Sequence, residues 1–188
     1  MAAPLEPEVI ELRVREVAQL FNSLDPSPFH ERDIDPGAEE YVVDYARELR
    51  AGRPFRVVIH LPPDQALMAG ERGLPTAMAN FFAYRARRIE LQLRDLFRSG
   101  RRHLAVGLPL LVLCLLASQY VGGVLAPRPW GRIFEESFLI LGWVANWRPI
   151  EIFLYDWWPI RRDLELYRRL AAAEVEIRAS PEIRHRPS

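Results

Sequence analysis

The sequence contains no lysine, and all 25 of its basic residues are Arg. Its single cysteine, Cys114, excludes a disulfide or a multi-cysteine metal site within one chain. It also lacks a phosphate-binding glycine loop, a dinucleotide fingerprint and a Ser-His-Asp arrangement. Because no catalytic set can be assembled from what remains, we expect a protein that is not an enzyme and needs no cofactor. Basic stretches with interleaved aromatic residues are missing too, so no nucleic-acid partner is predicted.

Charge is absent from the middle of the chain. The run from His103 to Pro127 includes no Asp, Glu, Lys or Arg, and Arg residues flank it on both sides. About 20 mainly apolar residues are enough for a helix to cross the hydrocarbon core of a bilayer. A soluble core helix of this length would keep a polar face, which this run does not have. The run therefore predicts a transmembrane helix with the lipid bilayer as its partner.

A cleavable signal peptide is not predicted, because the N-terminus is acidic and the first long apolar run begins only after residue 100. The first membrane helix is therefore expected to act as its own insertion signal. Residues 1–36 carry eight acidic side chains and three Arg, whereas residues 71–102 carry eight Arg and three acidic side chains. These eight Arg residues, here named the Arg collar, suit attraction to anionic lipid beside the membrane.

The N-terminal part predicts a small α/β layer. Alternation of apolar and charged residues over 8–15 indicates a strand, although a single helix over 8–22 is the competing interpretation. Residues 37–51 show the periodicity of an amphipathic helix, and residues 55–61 predict the clearest strand of the chain. Two strands joined by a crossing helix favour parallel pairing. Since two strands make a poor independent sheet, either the membrane-proximal helix covers them or a second copy extends the sheet.

After a predicted polar turn at 64–73, a helix is expected over 75–99. Its apolar stripe has the spacing of a short coiled coil, but packing of the stripe on the strands is the preferred interpretation. The stripe consists of Phe82, Ala86, Ile89, Leu93 and Leu96. Within the first membrane helix, Ser118 and Gly122 make a small-xxx-small step that indicates close packing, either on a second helix or in a dimer.

A second apolar segment, Ile133 to Trp158, carries several charged residues and is a weaker span. Arg-rich flanks mark the cytoplasmic side of a membrane, and both apolar segments have such a flank on their outer ends. We therefore expect two spans with both termini cytoplasmic. A polar helix is predicted over 160–178, and the last ten residues are expected to fray.

Two groups of residues are candidate interaction sites. His30, Glu31, Asp33 and Asp35 lie in a proline-stiffened loop over 23–36. Their spacing matches no metal signature, so a solvated acidic loop is preferred over a metal site. In the second apolar segment, Arg148 and Glu151 are neighbours at i and i+3. Two interpretations stay open: the two residues pair with each other or with a neighbour inside the membrane and face protein, or their side chains extend to the membrane interface.

The chain resembles a group of small bacterial two-helix inner-membrane proteins of unknown function. The resemblance lies in the segments LFNSLDPSPFHERDID (20–35), RPFRVVIHLP (53–62) and WRPIEIFLYDWWPIRRD (147–163). It implies location in a bacterial inner membrane and brings no known activity.

These observations predict an α+β membrane protein whose central feature is a two-helix transmembrane hairpin. The predicted parts are a cytoplasmic α/β domain (1–74), a membrane-proximal helix (75–102), the hairpin (103–158) and a cytoplasmic C-terminal helix with a tail (159–188). The expected function is that of a membrane-tethered interaction or regulatory module, with the acidic loop and the Arg collar as contact surfaces. A second copy or another membrane protein is the expected partner. The alternative is a subunit of a small oligomeric channel whose pathway uses Arg148 and Glu151.

Overall fold

A computed structural model describes residues 7–22, 28–29, 32–49, 53–125 and 129–180 of the chain. The chain divides into two compact units. The first unit is Met1–Ile89 with Arg162–Ser188, and the second is Glu90–Arg161.

The first unit is built on a parallel sheet. Its described strands are β1 (Glu8–Arg13), β2 (Phe55–Leu61) and β3 (Glu174–Ala179), in the order β1-β2-β3. The predicted parallel pairing of the first two strands is confirmed, with Ile10 opposite Val57. The third strand comes from the C-terminal part of the same chain, and Ile177 lies opposite Ile59 of β2.

Helices begin where the sequence places caps and prolines. In α1 (Pro36–Glu48), the Asp35 carboxylate accepts a hydrogen bond from the amide of Gly37 at 2.9 Å, and Pro36 supplies a fixed φ that suits the first helical position. Helix α2 (Pro63–Glu71) follows β2 and also begins at a proline. Gly73, with a φ of 73°, separates α2 from the next helix, α3 (Leu74–Leu125). Only glycine adopts this left-handed backbone without strain.

The core of the first unit lies on one face of the sheet. Alternate residues of β2 point into it, and α1, the first turns of α3 and part of α6 (Trp157–Ala171) cover it. The buried apolar side chains include Ile10, Leu12, Val57, Ile59, Leu61, Val42, Ala46, Leu74, Phe81, Phe82, Leu166 and Leu170. Phe82 belongs to this core, so the prediction that the apolar stripe packs on the sheet is confirmed at that position.

The second unit is a pair of antiparallel helical segments. Residues 90–125 of α3 pack against α4 (Pro129–Ala145), α5 (Trp147–Glu151) and a π-helical turn at Ile152–Asp156. Ser118 Oγ donates to the Glu135 carbonyl at 3.0 Å near one end of the pair. Toward the other end, a side chain added at Gly100 would meet Ile152. Ser118 and Gly122 therefore pack on the second helix of the same chain, as one of the two interpretations predicts.

Among the helices of the described residues, one, Leu74–Val124, is long and apolar enough to cross a membrane. The segment 133–158, expected to form a single second span, is instead interrupted at Asn146, whose backbone leaves the helical conformation with φ −97° and ψ 1°. Two other expectations are wrong. Residues 64–73 are mostly helical because Pro63 and Asp64 start α2. The helix predicted over 160–178 ends at Ala171, and Glu174–Ala179 forms β3, which pairs with β2.

Candidate functional site

The acidic loop is only partly described. His30 and Glu31 lie outside the described residues. The Asp35 side chain caps α1, and the Asp33 carbonyl accepts a hydrogen bond from the Asn22 amide at 2.9 Å. Within the described ranges, no group of three or more His, Cys, Asp or Glu side chains is placed to hold a metal ion. The role of Asp35 in the described part of the loop is therefore to fix the start of α1.

Arg148 and Glu151 form a cluster with Asp156, which the sequence did not reveal as a partner. Arg148 Nη1 lies 3.2 Å from Glu151 Oε2 and 3.0 Å from Asp156 Oδ2. The indole nitrogen of Trp147 donates to the other oxygen of Glu151 at 2.8 Å. The predicted Arg148–Glu151 pairing is confirmed. In this single chain 55 % of the Arg148 side chain and 38 % of that of Glu151 are exposed, so the expectation that both face protein stays a prediction about a neighbouring helix or copy.

The helix interruption explains how Asp156 reaches this cluster. Asn146 ends α4, and the π-helical turn at Ile152–Asp156 adds an extra residue to the helical turn. Asp156 is thereby brought to the same Arg148 head group as Glu151, although it lies eight positions further along the chain than Arg148. Regular helical spacing, on which the sequence analysis relied, does not reveal this partner.

Asn146 makes the main polar contact between the two helical segments. Its side chain is buried, and Nδ2 donates to the Gly107 carbonyl at 2.9 Å and to the Gly142 carbonyl at 3.1 Å. A Cβ atom added at Gly107 would lie 2.6 Å from Asn146 Oδ1. The absence of a side chain at Gly107 is therefore what allows Asn146 to approach the backbone of α3. This contact was not predicted, because nothing in the sequence relates residues 107 and 146.

A second polar cluster that the sequence did not reveal lies in the first unit. Glu39 of α1 is buried, and its carboxylate accepts hydrogen bonds from Arg85 of α3 and from the Tyr167 hydroxyl of α6. Burial, followed by the hydrogen bond to Glu39, raises the pKa of Tyr167 to about 12. The cluster joins three helices over the core, and we interpret it as structural.

An open groove runs along the outer edge of β1. It has a volume of about 640 Å³. Its floor is the edge strand, and its wall is formed by Ala38, Tyr41 and Tyr45 of α1. The two tyrosine rings stack with centroids 6.3 Å apart and are 52 % and 41 % exposed. The groove thus combines exposed aromatic rings with the backbone of a strand edge that no other described strand pairs with.

No protein-family model, curated protein or solved structure matches this chain. The resemblance to small bacterial inner-membrane proteins therefore stays a prediction, and the function rests on the geometry described above.

Proposed function

We propose that the protein is a membrane-tethered interaction or regulatory module, anchored by the second unit and presenting the first unit as its contact domain. One observation carries the proposal. Only 17 % of the most apolar stretch of α3 is buried within the protein. Soluble proteins rarely expose a contiguous apolar surface of this extent, whereas lipid hydrocarbon is its natural surrounding.

The exposed side chains support this assignment. On the apolar half of α3 they include Val106, Leu113, Leu116 and Tyr120, with exposed fractions between 58 % and 72 %. On the opposing segment they include Ile140, Trp143 and Val144. Both segments of the pair therefore present apolar side chains outward, while glycines of each segment, such as Gly107 and Gly142, lie against side chains of the other. This is the arrangement of helices that pack in a bilayer.

A two-span hairpin with cytoplasmic termini is part of the proposal. The segments are antiparallel, so the second one returns the chain, and Arg residues flank both outer ends. A helix interruption within a membrane needs donors and acceptors from the protein. At the interruption, the backbone amide of Asn146 donates to the Trp143 carbonyl at 3.0 Å. The Asn146 side chain donates to the Gly107 carbonyl.

The protein supplies contact surfaces of two kinds. The acidic loop and the Arg collar are charged surfaces, and the β1 groove is an aromatic surface beside the outer edge of β1. In the Arg collar, the described ion pairs join Arg85 to Glu39, Arg94 to Glu90 and Arg98 to Asp95, and they use only part of the positive charge. The rest of the positive charge suits attraction to anionic lipid.

The channel alternative is favoured by one observation. Arg148 and Glu151 are exposed on the outside of the second unit, where neighbouring copies in a ring could cover them. A tether needs no such ring. The two functions therefore differ in the number of copies that assemble.

Alkaline extraction of membranes, followed by mass determination in mild detergent, tests the proposal. We expect the protein to stay in the membrane pellet at alkaline pH and to have the mass of a monomer or dimer after solubilisation. Release into the alkaline supernatant would contradict the membrane anchor. Assembly into a larger ring would contradict the tether and favour the channel.

A further inference from the structure

The backbone groups on the outer edge of β1 pair with no other strand that the structure describes. The amides of Glu8 and Val14 donate toward β2, to the carbonyls of Pro54 and His60 at 2.9 Å and 3.1 Å. Successive residues of a strand point their backbone groups to alternate sides. Val9, Glu11 and Arg13 therefore direct their N–H and C=O groups away from β2. Because β1 is an edge of the sheet that the described residues form, no further strand of that sheet receives them.

The side chains at this edge carry a specific charge pattern. Glu11 and Arg13 are both exposed, and they are two residues apart on the same face of the sheet. Leu12, between them, points into the core face, and Ile10 and Val14 flank it on that side. A strand with one acidic and one basic position at this spacing is complementary to itself in an antiparallel arrangement.

We propose that β1 pairs antiparallel with β1 of a second copy, about a two-fold axis at Leu12. In this register, Glu11 of each copy lies opposite Arg13 of the other. Both residues have outward backbone groups, so each Glu11–Arg13 pair exchanges two N–H···O=C bonds. The same pairs bring opposite charges together on one face, and cross-strand pairs of this kind are stabilising.

Neighbouring registers lack this complementarity. A shift of the axis to Glu11 places Glu11 opposite Glu11 of the second copy, and a shift to Arg13 places Arg13 opposite Arg13. Like charges directly opposite each other are destabilising. A shift of the axis to Ile10 places Arg13 opposite Pro7, which has no carboxylate to pair with it. A one-residue slip of one strand would set outward-facing groups opposite inward-facing ones. The charges therefore select one register.

The aromatic wall of the groove fits the same occupant. A strand in the groove lies beside Tyr41 and Tyr45 of α1, whose rings are otherwise exposed to solvent. The two-fold axis brings the corresponding tyrosines of the second copy to the same junction. Dimerisation thus covers apolar surface and removes an open strand edge, which proteins otherwise have to protect against uncontrolled pairing.

Charge reversal on the full-length chain in mild detergent tests this dimer. Glu11→Arg places Arg opposite Arg in both pairs, and Arg13→Glu places Glu opposite Glu. We expect each single variant to raise the dimer dissociation constant at least about tenfold, measured by sedimentation equilibrium, because two attractive pairs become repulsive. An equimolar mixture of the two variants should dimerise as the unaltered chain does, since every pair then joins Arg to Glu.

The combined variant Glu11→Arg with Arg13→Glu should also dimerise normally. Glu71→Arg, an exposed reversal of the same kind at the end of α2, is the matched control and should leave the dissociation constant unchanged. Thermal melting followed by circular dichroism checks that each variant is folded. A monomeric unaltered chain, dimerisation that persists in both single variants, or a mixture that stays monomeric would each overturn the proposal. Binding of an extended peptide by a monomeric unaltered chain would assign the groove to another occupant and overturn it too.

Discussion

The double substitution Leu113→Arg with Leu116→Arg is expected to remove the protein from the membrane. Both leucines lie near the middle of the apolar part of α3, and 62 % and 58 % of their surfaces are exposed. In water, polar substitution at such exposed positions usually changes stability by less than about 0.5 kcal/mol. In a bilayer, each Arg near the centre of a span costs about 2.5–3.5 kcal/mol, so the pair costs about 5–7 kcal/mol. The measurement is the fraction of protein that remains in alkali-washed membranes.

Tyr84→Arg with Leu91→Arg is the matched control. These residues lie on the same helix but before the apolar run, and they are 54 % and 57 % exposed. We expect this variant to stay in the membrane fraction at the level of the unaltered chain. If the Leu113 and Leu116 variant also stays there, with an unchanged amount of folded protein, the apolar surface of α3 does not face lipid.

Gly107→Leu is expected to separate the two helical segments of the second unit. A side chain at this position meets Asn146 Oδ1 at 2.6 Å and the Ala145 carbonyl at 3.3 Å. The Ala145 oxygen is backbone and cannot rotate away, and the Asn146 side chain is held by two hydrogen bonds. Overpacking costs about 1–3 kcal/mol, and loss of buried hydrogen bonds adds about 1 kcal/mol for each. The unfolding temperature in detergent, followed by tryptophan fluorescence, should fall by several degrees.

Gly123→Leu is the control for this substitution. Gly123 lies on the same helix, and a Cβ atom there would meet nothing within 4 Å. Leucine has a higher helix propensity than glycine, so Gly123→Leu should leave the unfolding temperature unchanged or raise it. An equal loss of stability in the two variants would show that the packing of Gly107 against Asn146 is not what holds the segments together.

The sequence predicts the parts of the fold that depend on local pattern. The strand over 55–61 is found as predicted, because a continuous run of β-branched and aromatic residues is bounded by prolines. Helix α1 begins at Pro36, one residue before the predicted start. The apolar run from 103 falls within one helix, since neither Gly100 nor Pro109 interrupts α3.

Other parts depend on contacts between distant residues, which periodicity does not encode. The segment Glu174–Ala179 follows a helix with a polar face, and its alternation is short enough to be read as a continuation of that helix. The segment is a strand because it pairs with the edge of β2 that β1 does not occupy. Just after it, the backbone amide of Ser180 donates to the Leu61 carbonyl at 2.8 Å. This third strand belongs to the same chain and extends the sheet at β2, where the sequence suggested a covering helix or a second copy.

The candidate sites also divide into contacts that local spacing predicts and contacts between distant residues. The Arg148–Glu151 pair is at helical spacing and was predictable, whereas Asp156 joins it only through a π-helical turn. The Glu39 carboxylate meets Arg85 and Tyr167 across more than forty positions of the chain, and the Asn146–Gly107 contact is of the same kind. Such long-range polar contacts follow from the tertiary structure and leave no local signal.

The central claim is that the second unit crosses the membrane and returns. It is tested most directly by paired reporter fusions, one active only outside the cytoplasm and one fluorescent only inside it, joined after residue 129 and after residue 188. The Arg-rich flanks predict that a fusion after 129 is active outside and that a fusion after 188 is fluorescent inside. A fusion after 129 that is fluorescent inside would show that α3 does not span the membrane, and would contradict the account.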